Sequence, residues 1–300
     1  MIIELQTPCT YQGGKQRLAR QIVDYMIRLA DNSQNVHYYD LCCGSGAITV
    51  ELLNRGIKPT QIIMCDIGSY GKFYKSVGEG TFEIEKFLKY SKQVPRDKSK
   101  VREYIQNLSK QDANIDEEYV YLLLQASSFG GKQIWCEHNI WKNTSFRDYW
   151  QPTPTSSRRS PVNPMQPEID KLEQRVINIC KYAKGIKCYN TEITSMVDVI
   201  KNDIHDKIIY IDPPYYNTTK YGFSFSHQDF INSLMKVTNC PILLSEYQVF
   251  SDKYIELNIS GGKGGISGNR KTKSTEILNF YNVENNINHL NTKTIKHKLF

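Results

Sequence analysis

Val36-His-Tyr-Tyr-Asp40-Leu41, then Cys42-Cys43-Gly44-Ser45-Gly46, then Ala47-Ile-Thr-Val-Glu-Leu-Leu-Asn54, is the stretch whose reading decides the fold. A run rich in strand formers meets a turn with two glycines, and a helix-compatible segment follows at once. Ile62 to Asp66 reads as a second strand, so the chain carries a βαβ unit with its glycine turn directly after the first strand. That order predicts an α/β fold built on a parallel sheet.

Working outward, Tyr11-Gln-Gly-Gly-Lys15 reads as a tight turn opening a helix, and Leu18, Ile22, Tyr25, Met26 and Leu29 give that helix one apolar face. Ile2, Ile3 and Leu5 before it look strand-like. From about Gly68 the rhythm becomes helical and lysine-rich, with helices expected over Phe82 to Tyr90, Val101 to Lys110 and Glu117 to Ala126. All three tryptophans then fall between Trp135 and Trp150, an aromatic group read as the small core of this segment. A Pro/Ser/Thr-rich stretch over 151–166 carries Arg158-Arg159. Helical periodicity resumes at Pro167, taken as a first helical residue, and runs through Ile169, Leu172, Val176 and Ile179. Strands follow at Ile186 to Tyr189, Lys207 to Ile211, Pro241 to Ser245, Tyr254 to Leu257 and Glu276 to Tyr281, with helices around Met196 to Ile200 and behind a Ser226/Asp229 capping box. The expected organisation is an α/β domain from residues 1–67 and 166–300, interrupted by a mainly helical module at 68–165.

Three hundred residues, 40% apolar and 23% charged, lie in the globular range. No run approaches the roughly 18 apolar residues that cross a bilayer, and the Met-Ile-Ile-Glu start has no signal-peptide pattern, so the expectation is a cytoplasmic protein with no membrane partner. The +7 net charge is unevenly spread: residues 68–165 hold 15 basic against 11 acidic side chains, and 261–300 hold 7 against 2. A local basic excess suits a polyanion partner. The eight cysteines read as reduced, mostly buried thiols, and Cys136-Glu-His138 lacks a second ligand pair, so no metal is expected.

The glycine turn is of nucleotide-binding type, but Thr49 stands where a dinucleotide fingerprint wants a third glycine or alanine, which disfavours a nicotinamide oxidoreductase. Taken alone, it weighs evenly as a plain tight turn or a cofactor loop. Asp40 precedes its glycines, and Asp66 ends the next strand, where a carboxylate can accept hydrogen bonds from ribose hydroxyls. Ile211-Asp212-Pro213-Pro214-Tyr215-Tyr216 is sharper. Two prolines end the ladder and hold a carboxylate, a carbonyl and an aromatic ring together, which are two acceptors and a stacking face for the exocyclic amine of a planar base.

On these residues the sequence resembles the Dam-like DNA adenine-N6 methyltransferases, which use S-adenosylmethionine (AdoMet). Tyr11-Gln-Gly-Gly-Lys15, Asp40 to Gly46, an inserted module and Asp212-Pro-Pro-Tyr215 occur in that family's order. The resemblance implies a Rossmann-like AdoMet-dependent sheet with an inserted target-recognition domain. It places Asp40, Gly44 and Gly46 at the methionine part of AdoMet, Asp66 at its ribose, Tyr11 and Lys15 beside it, and Glu192 at its adenine; Asp212 also borders it. Asp212, Pro213, Pro214 and Tyr215 would be catalytic, acting on an adenine flipped out of double-stranded DNA.

The module carries Phe129-Gly-Gly-Lys132 where GATC-specific members have an Asn-Val-Pro-x-Gly-like segment, so GATC recognition is not implied. Lys132, Arg158 and Arg159 are the expected DNA contacts. The Gly261-Gly-Lys-Gly-Gly265 segment reads as a loop facing DNA, and the tail with Lys293, Lys296 and Lys298 as solvated. The expected protein is a monomeric, site-specific methyltransferase of a bacterium or its phage, with or without a restriction partner. The competing readings are a catalytically silent DNA-binding relative and an amino-methyltransferase acting on cytosine N4 or RNA.

Overall fold

A computed structural model describes residues 4–31, 33, 35–215, 226–257 and 276–283. Helix α1 (Ala19–Leu29) precedes strand β1 (His37–Leu41), and α2 (Ala47–Asn54) leads to β2 (Ile62–Cys65) and α3 (Ser69–Glu79). Helices α4 (Ile84–Ser91), α5 (Lys98–Leu108) and α6 (Glu117–Ser127) follow, then a hairpin of β3 (Trp135–Glu137) and β4 (Ile140–Lys142). The remainder is α7 (Ile169–Tyr182), β5 (Lys187–Tyr189), α8 (Met196–Asn202), β6 (Lys207–Ile211), α9 (His227–Met235), β7 (Ile242–Glu246), β8 (Lys253–Leu257) and β9 (Glu276–Tyr281).

Among the described residues the central sheet runs β5-β2-β1-β6-β7-β9-β8. It is parallel from β5 to β7, and β9 lies antiparallel between β7 and β8. This mixed α/β architecture with a mostly parallel sheet is consistent with a Rossmann-like methyltransferase. Strand β6 is buried at every position because both sheet faces are covered. Its side chains alternate accordingly: Ile208 and Tyr210 join one core with α1 to α7, while Ile209 and Ile211 join the other with Met196 and Ile200 of α8 and Phe230, Ile231 and Leu234 of α9. Strand order reverses between β1 and β6, which opens a crevice at their carboxyl ends.

Helix α3 packs on β2 and β5, and the apolar faces of α4, α5 and α6 continue into the same core as α1 and α2. Helix α5 starts three residues before its expected first residue because the Asp97 carboxylate accepts from the Ser99 backbone N–H (3.0 Å) and fixes the first turn. Leu5 is buried but belongs to no strand; its backbone N–H and C=O pair instead with the Asn54 side-chain amide (2.8 and 3.0 Å). Pro167 does not open α7, which begins at Ile169 behind Glu168. The Ser226 hydroxyl accepts from the Asp229 N–H (3.4 Å), as its capping-box spacing predicts. Ile2, Ile3, Tyr216, the 261–265 glycine segment and the 293–298 lysines lie outside the described residues.

Candidate active site

The turn after β1 needs unusual backbone. Cys42, Gly44 and Gly46 all have positive φ, at 59°, 48° and 73°. A Cβ on Gly46 would sit 2.3 Å from the Tyr74 hydroxyl, and one on Gly44 would sit 3.0 Å from the Tyr11 ring. The turn is held from behind by two carboxylates. Asp40 Oδ2 accepts from the Thr49 N–H (3.1 Å) and hydroxyl (2.8 Å), fastening the start of α2 to the end of β1. Asp66 accepts from the Gly44 N–H with one oxygen and from the Gly68 N–H with the other, both at 2.8 Å. Burial raises the Asp40 carboxyl to about 7 against the lowering effect of its Thr49 bonds, and it raises Asp66 despite the Gly68 and Gly44 N–H groups.

At the end of β6 the Asp212 N–H still bonds the Leu41 carbonyl (3.0 Å), after which the prolines supply no donors and the ladder stops. Asp212 faces Lys15, whose Nζ lies 2.7 Å from Oδ1 and 3.4 Å from Glu276 Oε1. The Tyr215 hydroxyl bonds both the Lys15 ammonium and the Glu276 carboxylate. Burial alone would lower the Lys15 ammonium, but Asp212 and Glu276 outweigh it and raise its pKa. Burial raises Asp212 to about 6, with Lys15 pulling down and Glu276 pushing up. Burial and both carboxylates also raise the Tyr215 phenol, so its O–H stays a donor. The Tyr247 ring packs edge-on against Tyr215, with centroids 4.5 Å apart at 82°.

Lys15, Asp40, Asp66, Asp212, Tyr215 and Tyr247, though not Glu276, border a cavity of about 940 Å³ in the β1/β6 crevice. Of the residues expected from sequence, Tyr11, Lys15, Asp40, Gly44, Asp66, Lys132, Glu192 and Asp212 to Tyr215 line it. Gly46 does not; it packs behind the turn on Tyr74. Arg158 and Arg159 lie on an exposed loop away from the lining, bonding the Ser160 and Pro154 carbonyls (2.9 and 3.2 Å). Trp141 is buried and stacked on Tyr121, as expected of a core residue, whereas Trp135 lines the cavity. Sequence reading missed Gln133, Asn143, Tyr247 and Glu276. The only hint was position: Tyr247 directly follows a strand end on the same side of the sheet as Asp66 and Asp212.

Among the described residues, His37, Asp203 and His205 form a cluster of metal-ligand type, at the amino end of β1 and so at the opposite end of the strands from the cavity. The Asp203 carboxylate is taken up by Tyr39 Oη (2.7 Å), His37 Nδ1 (2.8 Å), and the His205 backbone N–H (3.1 Å) and Nδ1 (2.8 Å). It therefore closes as a hydrogen-bonded clasp between β1 and the α8–β6 turn. All eight cysteines are free, with Cys9, Cys43, Cys65 and Cys188 buried. No helix of the described residues is long and apolar enough to cross a membrane.

No curated protein matches the chain. Residues 11–151 do match the model of a family described as D12 class N6 adenine-specific DNA methyltransferase, a span that ends before Asp212-Pro-Pro-Tyr215. The match covers the glycine turn and the middle helices and marks the chain as an enzyme, a DNA adenine methyltransferase.

Proposed function

We propose that this chain transfers a methyl group from AdoMet to N6 of an adenine rotated out of duplex DNA at a specific sequence. The observation that carries this reading is the partly buried Asp212 carboxylate beside the Tyr215 and Tyr247 rings at the edge of the crevice cavity. The lining also suits AdoMet: Asp40, Asp66 and Glu192 offer acceptors for ribose hydroxyls and for positive charge, and the volume lies in the range of small-molecule sites. Asp66 would hold the ribose, Glu192 the adenine, and the Gly44 turn with Tyr11 the methionine portion. AdoMet, when bound, supplies an electrophilic sulfonium methyl.

The chain's own task is to make N6 a nucleophile. The adenine amine is a poor one because its lone pair is delocalised into the ring. Asp212 and the Pro213 carbonyl accept hydrogen bonds from its two N–H groups, which favours a pyramidal nitrogen with a localised pair. Pro214 stiffens the turn, and Tyr215 stacks on the base. Catalysis here is positioning and preorganised charge with no covalent enzyme intermediate. A base inside a duplex cannot reach this cavity, so it is flipped, at a cost of about a few kcal/mol that stacking and phosphate contacts offset.

In this reading residues 68–165 choose the target, with Lys132, Arg158 and Arg159 as DNA contacts, while 1–67 and 166–300 perform transfer. The reading is supported by the way Lys132, Gln133, Trp135 and Asn143 of the middle segment wall the same cavity as Asp212. Mapping N6-methyladenine in DNA from cells expressing the protein should show methylation confined to one short sequence and absent from vector controls. Expression of folded protein with no added N6-methyladenine would overturn the reading.

A further inference from the structure

Glu276 enters the site from β9, more than sixty residues beyond Asp212, and nothing in the motif order accounts for it. The residue is 6% exposed, its carboxylate accepts the Tyr215 hydroxyl, and its Oε1 is 3.4 Å from Lys15 Nζ. Lys15, itself 6% exposed, lies between two carboxylates and holds Asp212 Oδ1 at 2.7 Å. That contact takes one of the two oxygens of the carboxylate on which the proposed mechanism draws for the amine. An ammonium locked on Asp212 would also withdraw the electron density that makes the carboxylate a good acceptor.

We propose that Glu276 is a positioning residue that shares the Lys15 ammonium with Asp212 and takes it over as the target amine arrives, so that Asp212 can accept a hydrogen bond from the N6 amine. The proposal rests on the methyltransferase reading above. The transfer is short, because Lys15 already touches both carboxylates and the Tyr215 hydroxyl bridges the ammonium and Glu276. It needs no new charge in the site and keeps the ammonium paired throughout, which a buried cation requires.

Glu276 also acts on Asp212 through its field. The ionisable groups around Asp212 are Lys15 from the turn before α1, Asp40 and Cys42 at the end of β1, Tyr210 on β6, Tyr215, Tyr247 after β7, and Glu276 on β9. Removing the Glu276 charge removes one upward push on Asp212 and leaves Lys15 wholly to it. Both changes favour ionised Asp212.

The test is single-turnover methylation of unmethylated plasmid DNA across pH, together with infrared titration of the Asp212 carboxyl in protein without cofactor, assigned with Asp212→Asn. In Glu276→Gln the acid limb of the rate and the Asp212 titration should both move down by about one pH unit. The plateau rate should fall at least about tenfold, because Lys15 now competes with the amine for Asp212. Glu276→Asp keeps the charge one methylene further back and should fall between wild type and Gln in both readouts. If the Gln variant does not fold, a downward shift in Glu276→Asp supports the proposal and a wild-type limb overturns it. A lower plateau with an unmoved limb and titration makes Glu276 merely structural. Wild-type protein that methylates nothing sinks the methyltransferase reading instead, so the two failures are distinct.

Discussion

At the residue scale the proposed mechanism stands on Asp212, whose two neighbours pull it in opposite directions. Lys15 at 2.7 Å favours the carboxylate, while burial and Glu276 oppose it, leaving a group with a pKa of about 6 that is ionised at neutral pH yet desolvated. Such a carboxylate is a strong acceptor for an amine that becomes positive in the transition state. Asp212→Asn keeps the shape and one acceptor oxygen but removes the charge and turns a donor toward the amine. Single-turnover methyl transfer at saturating DNA and AdoMet should fall at least about a hundredfold, or ~2.7 kcal/mol, while AdoMet affinity changes little. A near-normal rate would remove Asp212 as the amine's acceptor. Asp212, Tyr215, Asp66 and the Gly44 turn were legible because each sits where a strand must stop, and strand ends are readable from apolar runs broken by proline or glycine. Glu276 was not, since it occupies an ordinary strand start and becomes a site residue only when β9 is placed next to β7.

At the scale of elements, the turn between β1 and α2 shows why a glycine pattern alone says little about its purpose. The sequence reading gave its glycines to a cofactor approaching the backbone. In the structure Gly46 combines left-handed backbone at φ 73° with direct packing on Tyr74 of α3, whose hydroxyl bonds the Ser45 carbonyl (2.8 Å). Gly46→Ala should therefore be costly for stability whatever binds the cavity. Left-handed backbone costs ~1–2 kcal/mol, and intrusion into a filled core costs about 1–3 kcal/mol. Urea unfolding should show a loss of roughly 2–5 kcal/mol. An unchanged midpoint would mean that the turn relaxes freely and that Tyr74 does not define it. Most elements matched their periodicity to within a few residues, and the departures have local causes. The Asp97 cap starts α5 early, and Asn54 absorbs the backbone bonds that Leu5 would otherwise give to a neighbouring strand.

At the scale of the whole molecule, the middle segment is joined to the sheet by a continuous core: α3 lies on β2 and β5, α4 to α6 pack around it, and Lys132 to Asn143 reach the cavity. Composition marked where this segment begins to differ but could not show that it shares a core, because its apolar helix faces do not name their partners. The Arg158-Arg159 loop projects from the same segment, with both guanidinium groups exposed and bonded only to carbonyls of their own loop. A guanidinium held this way keeps free N–H donors for phosphate oxygens or a guanine edge. Each phosphate contact contributes about 0.9 to the slope of log affinity against log salt. Arg158→Ala with Arg159→Ala should thus weaken duplex binding and flatten that slope by roughly one to two. AdoMet affinity should be unaffected, since neither residue lines the cavity. Fluorescence anisotropy with plasmid-derived duplex fragments at several salt concentrations checks this directly. Wild-type affinity and wild-type slope in the double variant would place the loop away from DNA and leave Lys132, at the cavity rim, as the basic residue of this segment expected to meet the backbone beside the flipped base.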